Sequence, residues 1–191
     1  MTAKERILSR IRTAAVPRAD YVRTETPVLS ASLDLFCERV ADYRAIVHRV
    51  SQDEVSATLN RICEGRRCLV PADFEFVIEG AFADAGFTHA ELVDFETTIT
   101  SCAVGIAESG TIVLDAGQGQ GRRAITLIPD HHVCIIRADQ VVSSLEEGLE
   151  RLMVTRPLTF ISGPSATSDI ELVRVEGVHG PRKHEVLVVE A

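Results

Sequence analysis

The residues best suited to chemistry fall in four short segments. In Glu108-Ser109-Gly110-Thr111, a carboxylate ends the apolar run Val104-Gly105-Ile106-Ala107 beside a glycine turn. Half-buried there, Glu108 would have a pKa raised by desolvation and could act as acid, base or nucleophile. The plainer reading is a carboxylate that accepts from the backbone N–H groups of its own turn. The second segment, Gly117-Gln118-Gly119-Gln120-Gly121-Arg122-Arg123, sets bare backbone N–H groups beside two guanidinium groups, a combination suited to phosphate or carboxylate. It joins two expected strands and opens no expected helix, and its third glycine comes one place early for GxGxxG. A dinucleotide fingerprint is therefore rejected, and a simple hairpin loop is the alternative.

The third segment, Ser162-Gly163-Pro164-Ser165-Ala166-Thr167-Ser168-Asp169, follows the apolar run Leu158 to Ile161. The carboxyl end of a parallel strand is where open α/β sheets bind ligands, and hydroxyls with a glycine there can hold an anion. A Ser/Thr-rich turn that satisfies its own backbone is the alternative. In the fourth, Gly177-Val178-His179-Gly180-Pro181, His179 stands between glycines, as a general acid or base near neutral pH or as part of a tight turn. His131 and His132 are adjacent, so on a strand they face opposite sides. With no Cys or further His at ligand spacing, no metal site is expected.

These segments need elements to position them. Thr2 and Glu5 form a capping box ahead of Ile7, Leu8 and Ile11, predicting an N-terminal helix, and Pro17 and Pro27 mark a strap after it. Residues 1–30 read as this helix and strap, and 31–191 as a single α/β domain. Leu33 to Val40 suits a helix and Ala45 to Val50 a strand. A Ser51/Glu54 capping box then opens a helix to Cys63 with Val55, Leu59 and Ile62 inward. Cys68 to Val70 reads as a strand, Phe76 to Ala85 as a helix and Glu91 to Val93 as a strand, a parallel α/β alternation. Beyond residue 100, Val104 to Glu108 and Thr111 to Asp115 predict a hairpin about Ser109-Gly110. Ala124 to Ile128, Val133 to Ile136, Leu158 to Ser162 and Val186 to Glu190 read as strands. Ser144 to Met153 reads as a helix.

The chain has 191 residues, 46% hydrophobic and 25% charged, enough for one well-packed domain. Its net charge of −8 divides unevenly: residues 1–67 carry +3, 68–121 carry −9 and 122–191 carry −2. That balance argues against a nucleic-acid binder. The longest stretch without Asp, Glu, Lys or Arg runs from Pro157 to Ser168, too short for a membrane span, which needs about 20 apolar residues. The charged start lacks an apolar signal core, so a cytoplasmic location is expected. Cysteines 37, 63, 68, 102 and 134 show no CxxC spacing and read as reduced, small core residues. An aromatic content of 5% offers no stacking platform, so no flavin or other cofactor is expected.

Four motifs in order carry a resemblance: Ala107-Glu108-Ser109-Gly110-Thr111-Ile112, then Leu127-Ile128-Pro129-Asp130-His131-His132-Val133, then Ile161 through Glu171, then Gly177 through Pro181. Together they are similar to the LUD-domain family, in its lactate utilization protein C type, over about residues 85–191. The resemblance implies a three-layer α/β sandwich like that of sugar-phosphate isomerases and acyl-CoA transferases, with a mostly parallel sheet. It implies a non-redox subunit or accessory of an iron–sulfur system that oxidises lactate to pyruvate, with iron–sulfur proteins as partners. Related acyl-CoA transferases use a glutamate before a glycine as nucleophile, a context similar to that of Glu108. Two other readings stay open: an enzyme in its own right using Glu108 with His179, and a regulatory module that binds a small carboxylate. All three need a site for a small anion, for which the candidates are Ser109, Gly110, Thr111, Arg122, Arg123, Ser162, Gly163, Pro164, Ser165, Thr167, Asp169 and Gly180. Many members of the family have a basic residue where this chain has Ala166; if that group holds an anion in them, either Arg122, Arg123 or Arg182 substitutes for it here or the ligand differs.

Overall fold

The structure, a computed structural model, describes residues 2–14, 32–153, 155–167, 175–177 and 179–190. In chain order its elements are α1 (Ala3–Thr13), α2 (Leu33–Asp42), β1 (Ile46–Ser51), α3 (Val55–Cys63), β2 (Cys68–Val70), β3 (Phe82–Ala83), α4 (His89–Leu92) and β4 (Thr97–Ser101). There follow β5 (Val104–Ile106), β6 (Thr111–Leu114), α5 (Arg123–Leu127), β7 (His131–Arg137), β8 (Val141–Val142), α6 (Leu145–Arg151) and β9 (Thr159–Ile161). The last are β10 (Ala166–Thr167), β11 (Val175–Glu176) and β12 (Lys183–Glu190). The strap about Pro17 and Pro27 lies outside the described residues.

Six strands form one parallel sheet in the order β1-β12-β7-β4-β2-β3. A second sheet, β8-β5-β6-β9, contains the expected hairpin as the antiparallel pair β5 and β6. The side-chain period of two assigns each face of the parallel sheet its own core. Val133, Ile135, Leu187 and Val189 pack with Val55 and Leu59 of α3. On the opposite face, Cys134, Ile136, Val186 and Val188 pack with Phe36 and Val40 of α2 and with Ile112 and Leu114 of β6. The outer face of the second sheet packs Val104, Ile106, Val113 and Val142 with Leu152, under α6. The result is the layered α/β sandwich with a mostly parallel sheet that the sequence led us to expect. Four cysteines are buried, Cys37 is partly buried, and all five are free thiols. No described helix is long and apolar enough to cross a membrane.

Local signals account for most element starts. Thr2 with Glu5 and Ser51 with Glu54 make the predicted capping boxes. The Ser144 hydroxyl accepts from Glu147 N–H at the start of α6. By contrast, α1 buries none of its residues, and Ile7, Leu8 and Ile11 are exposed.

Several segments differ from their sequence reading. Phe76 to Ala85 is not a helix, because its backbone donors have tertiary acceptors: Glu79 N–H donates to the Asn60 side chain and Asp84 N–H to the Val70 carbonyl. Phe74 and Phe76 meet edge to face, centroids 5.7 Å apart, and pack against the α3 core. Glu91 to Val93 is not a strand. Thr88 and Glu91 form a further capping box that opens α4 and buries Leu92. Ala124 to Ile128 is helical too, since Ile125 fills a pocket made by Leu69, Leu92 and Phe95. The loop 117–123 therefore does open a helix, running from β6 into α5 rather than joining two strands. Finally, β9 is not a strand of the parallel sheet; it pairs antiparallel with β6, Ile112 opposite Ile161.

Candidate functional site

Two histidines set the chemistry of the site. His132, second residue of β7, and His184, second residue of β12, are paired in register, so they share one face of the sheet. Their rings stack with centroids 5.0 Å apart. Both are buried, and burial holds both imidazoles below their ordinary pKa of 6.5: His132 well below it, with the neighbouring His184 and His131 adding to the effect, and His184 down to about 4. They are neutral near neutral pH. His132 Nε2 lies 2.9 Å from the Thr100 hydroxyl. His184 Nδ1 lies 3.2 Å from the His132 carbonyl. A carbonyl only accepts, so His184 Nδ1 carries the ring proton and Nε2 holds a lone pair. That Nε2 is buried without a hydrogen-bond partner among the described residues.

Above these rings lies a cleft of about 300 Å³, at the small end of the range for ligand sites. Arg123, Thr126 and Leu127 of α5 form one wall, and residues 159–166 another. His179, Gly180 and Pro181 close it. Gly163 adopts φ +79°, and a Cβ there would meet the Tyr43 carbonyl at 2.5 Å, so the hydroxyl-rich turn needs glycine to pack against the end of α2. Ser165 ties the two loops together: its N–H donates to the Pro181 carbonyl, and its hydroxyl accepts from His179 N–H. The cleft opens at the amino ends of β7 and β12, not at the carboxyl edge where the sequence placed it. Ser162 does follow the carboxyl end of a strand, but that strand belongs to the second sheet.

Beside the cleft, three hydroxyls form a chain. Ser109 donates to Thr111 at 2.8 Å, and Thr111 lies 2.8 Å from Ser162. Either hydroxyl of the Thr111–Ser162 pair can be the donor; where Thr111 donates, the Ser162 proton is left to donate in turn. The turn that bears Ser109 is held by Gly110, at φ +60° with a would-be Cβ 2.5 Å from the Arg39 backbone.

The remaining candidates separate by their partners. Of the arginines proposed to stand in for the side chain missing at Ala166, Arg122 is bound to Asp84 and the Phe87 carbonyl, and Arg182 to Asp130. Arg123 faces the cleft with no carboxylate partner among the described residues. The Glu108 carboxylate accepts from Leu145 N–H at 2.9 Å, capping the first turn of α6, and does not line the cleft. His179 is exposed at the cleft mouth. Thr167 lies on β10, in register with Val175 of β11, and Asp169 lies outside the described residues.

Sequence reasoning missed His132 as a site residue, along with His184, Thr100 and Thr126. The available signal was position: His132 directly precedes the apolar run Val133 to Ile136, and His184 stands two residues before Val186 to Val189, runs long enough to be fully buried strands.

On the opposite face of the sheet, Glu185 is 4% exposed and pairs with His48 at 2.6 Å, Lys183 at 2.5 Å and His131 at 3.1 Å. Burial would raise its pKa, but these bonds outweigh burial and hold the carboxyl well below its ordinary range. Arg66 donates to His131 Nδ1 at 2.9 Å, so His131 Nε2 bears the proton facing Glu185. His131 Nε2 lies 3.1 Å from Glu185 but, like His184 Nε2, is buried without a hydrogen-bond partner among the described residues. Among the described residues, no three His, Cys, Asp or Glu side chains are grouped to hold a metal ion.

A parallel sheet with a second, mixed sheet packed on one face, and a cleft where the second sheet's strand end meets two buried histidines, define a layered α/β protein. Residues 81–189 match the LUD domain, and the chain belongs to the LUD-domain family. It is 44% identical to lactate utilization protein C of Deinococcus radiodurans, over 82% of this chain and 79% of that one. With the protein of the same name from Geobacillus sp. it shares 37% identity, over 48% of this chain and 41% of that one. The crystal structure of a DUF162 family protein from Deinococcus radiodurans is similar to it with a TM-score of 0.70 and 36% identity, covering 82% of this chain and 95% of that one.

Proposed function

We propose that this chain is a non-redox subunit or accessory of an iron–sulfur system that oxidises lactate to pyruvate in the cytoplasm, and that its cleft takes a small anion. The observation that carries this reading is the 44% identity with a lactate utilization protein C over 82% of the chain. The cysteines support the division of labour. Four are built into the cores and Cys37 lies partly buried, so they serve packing, and electron transfer falls to the iron–sulfur partners.

The test is a clean deletion in the native host, with growth on lactate as the readout. A tagged chain from lactate-grown cells is then assayed for iron and lactate-dependent dye reduction. Loss of growth, restored by the intact gene, together with iron and activity in the eluate is the expected result. Unchanged growth on lactate would overturn the proposal.

A further inference from the structure

The cleft has an unusual donor and acceptor inventory. His184 lines it, and the Nε2 lone pair of that ring is buried with no partner among the described residues. Its direction of use is fixed, because Nδ1 already gives its proton to the His132 carbonyl. The nitrogen therefore accepts, and a ligand that matches it must bring an O–H or N–H. The same cleft holds Arg123, a permanent cation with no carboxylate partner among the described residues. Ser162 also lines it, and where Thr111 donates to Ser162 the Ser162 proton is available to a ligand. A ligand complementary to all three carries an anionic group for Arg123 and Ser162 and a hydroxyl for the imidazole. It must also fit about 300 Å³.

We infer that the cleft is a binding site for a small 2-hydroxycarboxylate, with Arg123 and Ser162 holding the carboxylate and His184 Nε2 accepting the hydroxyl hydrogen bond. The choice of acid rests on the proposed lactate function, while the class of ligand rests on the cleft alone. The corresponding 2-oxo acid has a carbonyl oxygen in place of the hydroxyl. It would set one lone pair against another, leaving the buried nitrogen unsatisfied, and a site built to hydrogen-bond a hydroxyl rejects an analogue that lacks it. The cleft thus distinguishes the reduced from the oxidised partner of a two-electron couple without itself exchanging electrons. No bond forms or breaks in this step.

The intact chain, labelled with 15N in its histidine rings and assigned through the backbone, is titrated with L-lactate, D-lactate, pyruvate and inorganic phosphate. Binding is followed by calorimetry and by the ring nitrogen resonances. One lactate enantiomer should bind saturably and move His184 Nε2 toward the hydrogen-bonded position, and pyruvate should bind at least about tenfold more weakly. Arg123→Gln, on an exposed side chain, should weaken lactate binding by at least about tenfold with the thermal midpoint unchanged. Equal binding of pyruvate, lactate binding that leaves His184 Nε2 unmoved, binding of phosphate alone, or no binding would each overturn the inference. The two proposals fail separately: a chain that binds lactate in a host whose deletion strain still grows on lactate keeps this site and loses the complex.

Discussion

His184 and His132 sit opposite each other on neighbouring parallel strands, rings stacked at 5.0 Å, with His184 Nδ1 bonded to the His132 carbonyl. The contact fixes the tautomer of His184, and burial keeps both rings uncharged. Protonating either would put a cation beside the other ring inside the sandwich, which links the site directly to stability.

Both rings have folded-state pKa values below 6.5, that of His184 being about 4. The unfolded chain therefore binds more protons, and stability falls as pH drops from 6.5 toward 4. Each ring contributes a loss of about 1.4 kcal/mol per pH unit within that window. Glu185 acts lower down: its stabilisation is present above its unfolded value of 4.5 and is lost as acid reaches its depressed folded pKa. Urea midpoints should therefore decline steadily between pH 6.5 and 5, and His132→Asn should flatten that decline. A flat profile from pH 7 to 5 would contradict the buried neutral pair.

Glu108 caps α6 through Leu145 N–H, a structural role that substitution can separate from a chemical one. Glu108→Gln should cost no more than about 1 kcal/mol, and Glu108→Ala about 1–2 kcal/mol. Lactate-dependent growth should persist in a strain carrying either variant that still folds. A stable Glu108→Gln protein that abolishes lactate growth would favour the nucleophile reading instead.

Arg122 and Arg123 are adjacent in sequence but differ in their partners. Arg122→Ala strips two bonds from Asp84, whose carboxylate is largely buried, and should cost about 1–3 kcal/mol. Arg123→Ala should change stability by less than about 0.5 kcal/mol, as for other exposed sites. Chemical denaturation of the two variants side by side settles the order, and a reversed order would mean that the guanidinium roles are misassigned.

Gly110 and Gly80 make a matched pair. Both adopt positive φ, +60° and +73°, but a Cβ at Gly80 meets nothing within 4 Å, whereas at Gly110 it strikes the α2 backbone at 2.5 Å. Gly80→Ala should cost about 1–2 kcal/mol for backbone strain alone. Gly110→Ala should add about 1–3 kcal/mol, because the turn and α2 must separate. Equal losses would show that the hairpin turn yields more readily than its packing implies.

What the sequence determined by itself was local or periodic. Capping residues three apart mark the starts of α1 and α3, and the Ser109-Gly110 turn marks the hairpin. The apolar runs identify β7 and β12, because burial on both faces leaves a nearly continuous hydrophobic signature. Thr88 and Glu91 carried the same capping signal for α4, yet Leu92 and Val93 read as strand in so short a segment. For Ala124 to Ile128, β-branched residues gave the wrong sign, since a weak propensity yields to the pocket that Ile125 fills. Only the tertiary structure could decide the site. His132 and His184 are 52 residues apart and meet through strand register, and Ser109, Thr111 and Ser162 meet because β9 returns antiparallel to β6. Arg122 and Arg123 are the same residue type side by side, and only the fold gives one a carboxylate and leaves the other to the cleft. A hydrogen bond depends on distance and direction in space, and neither is written in the order of residues along the chain.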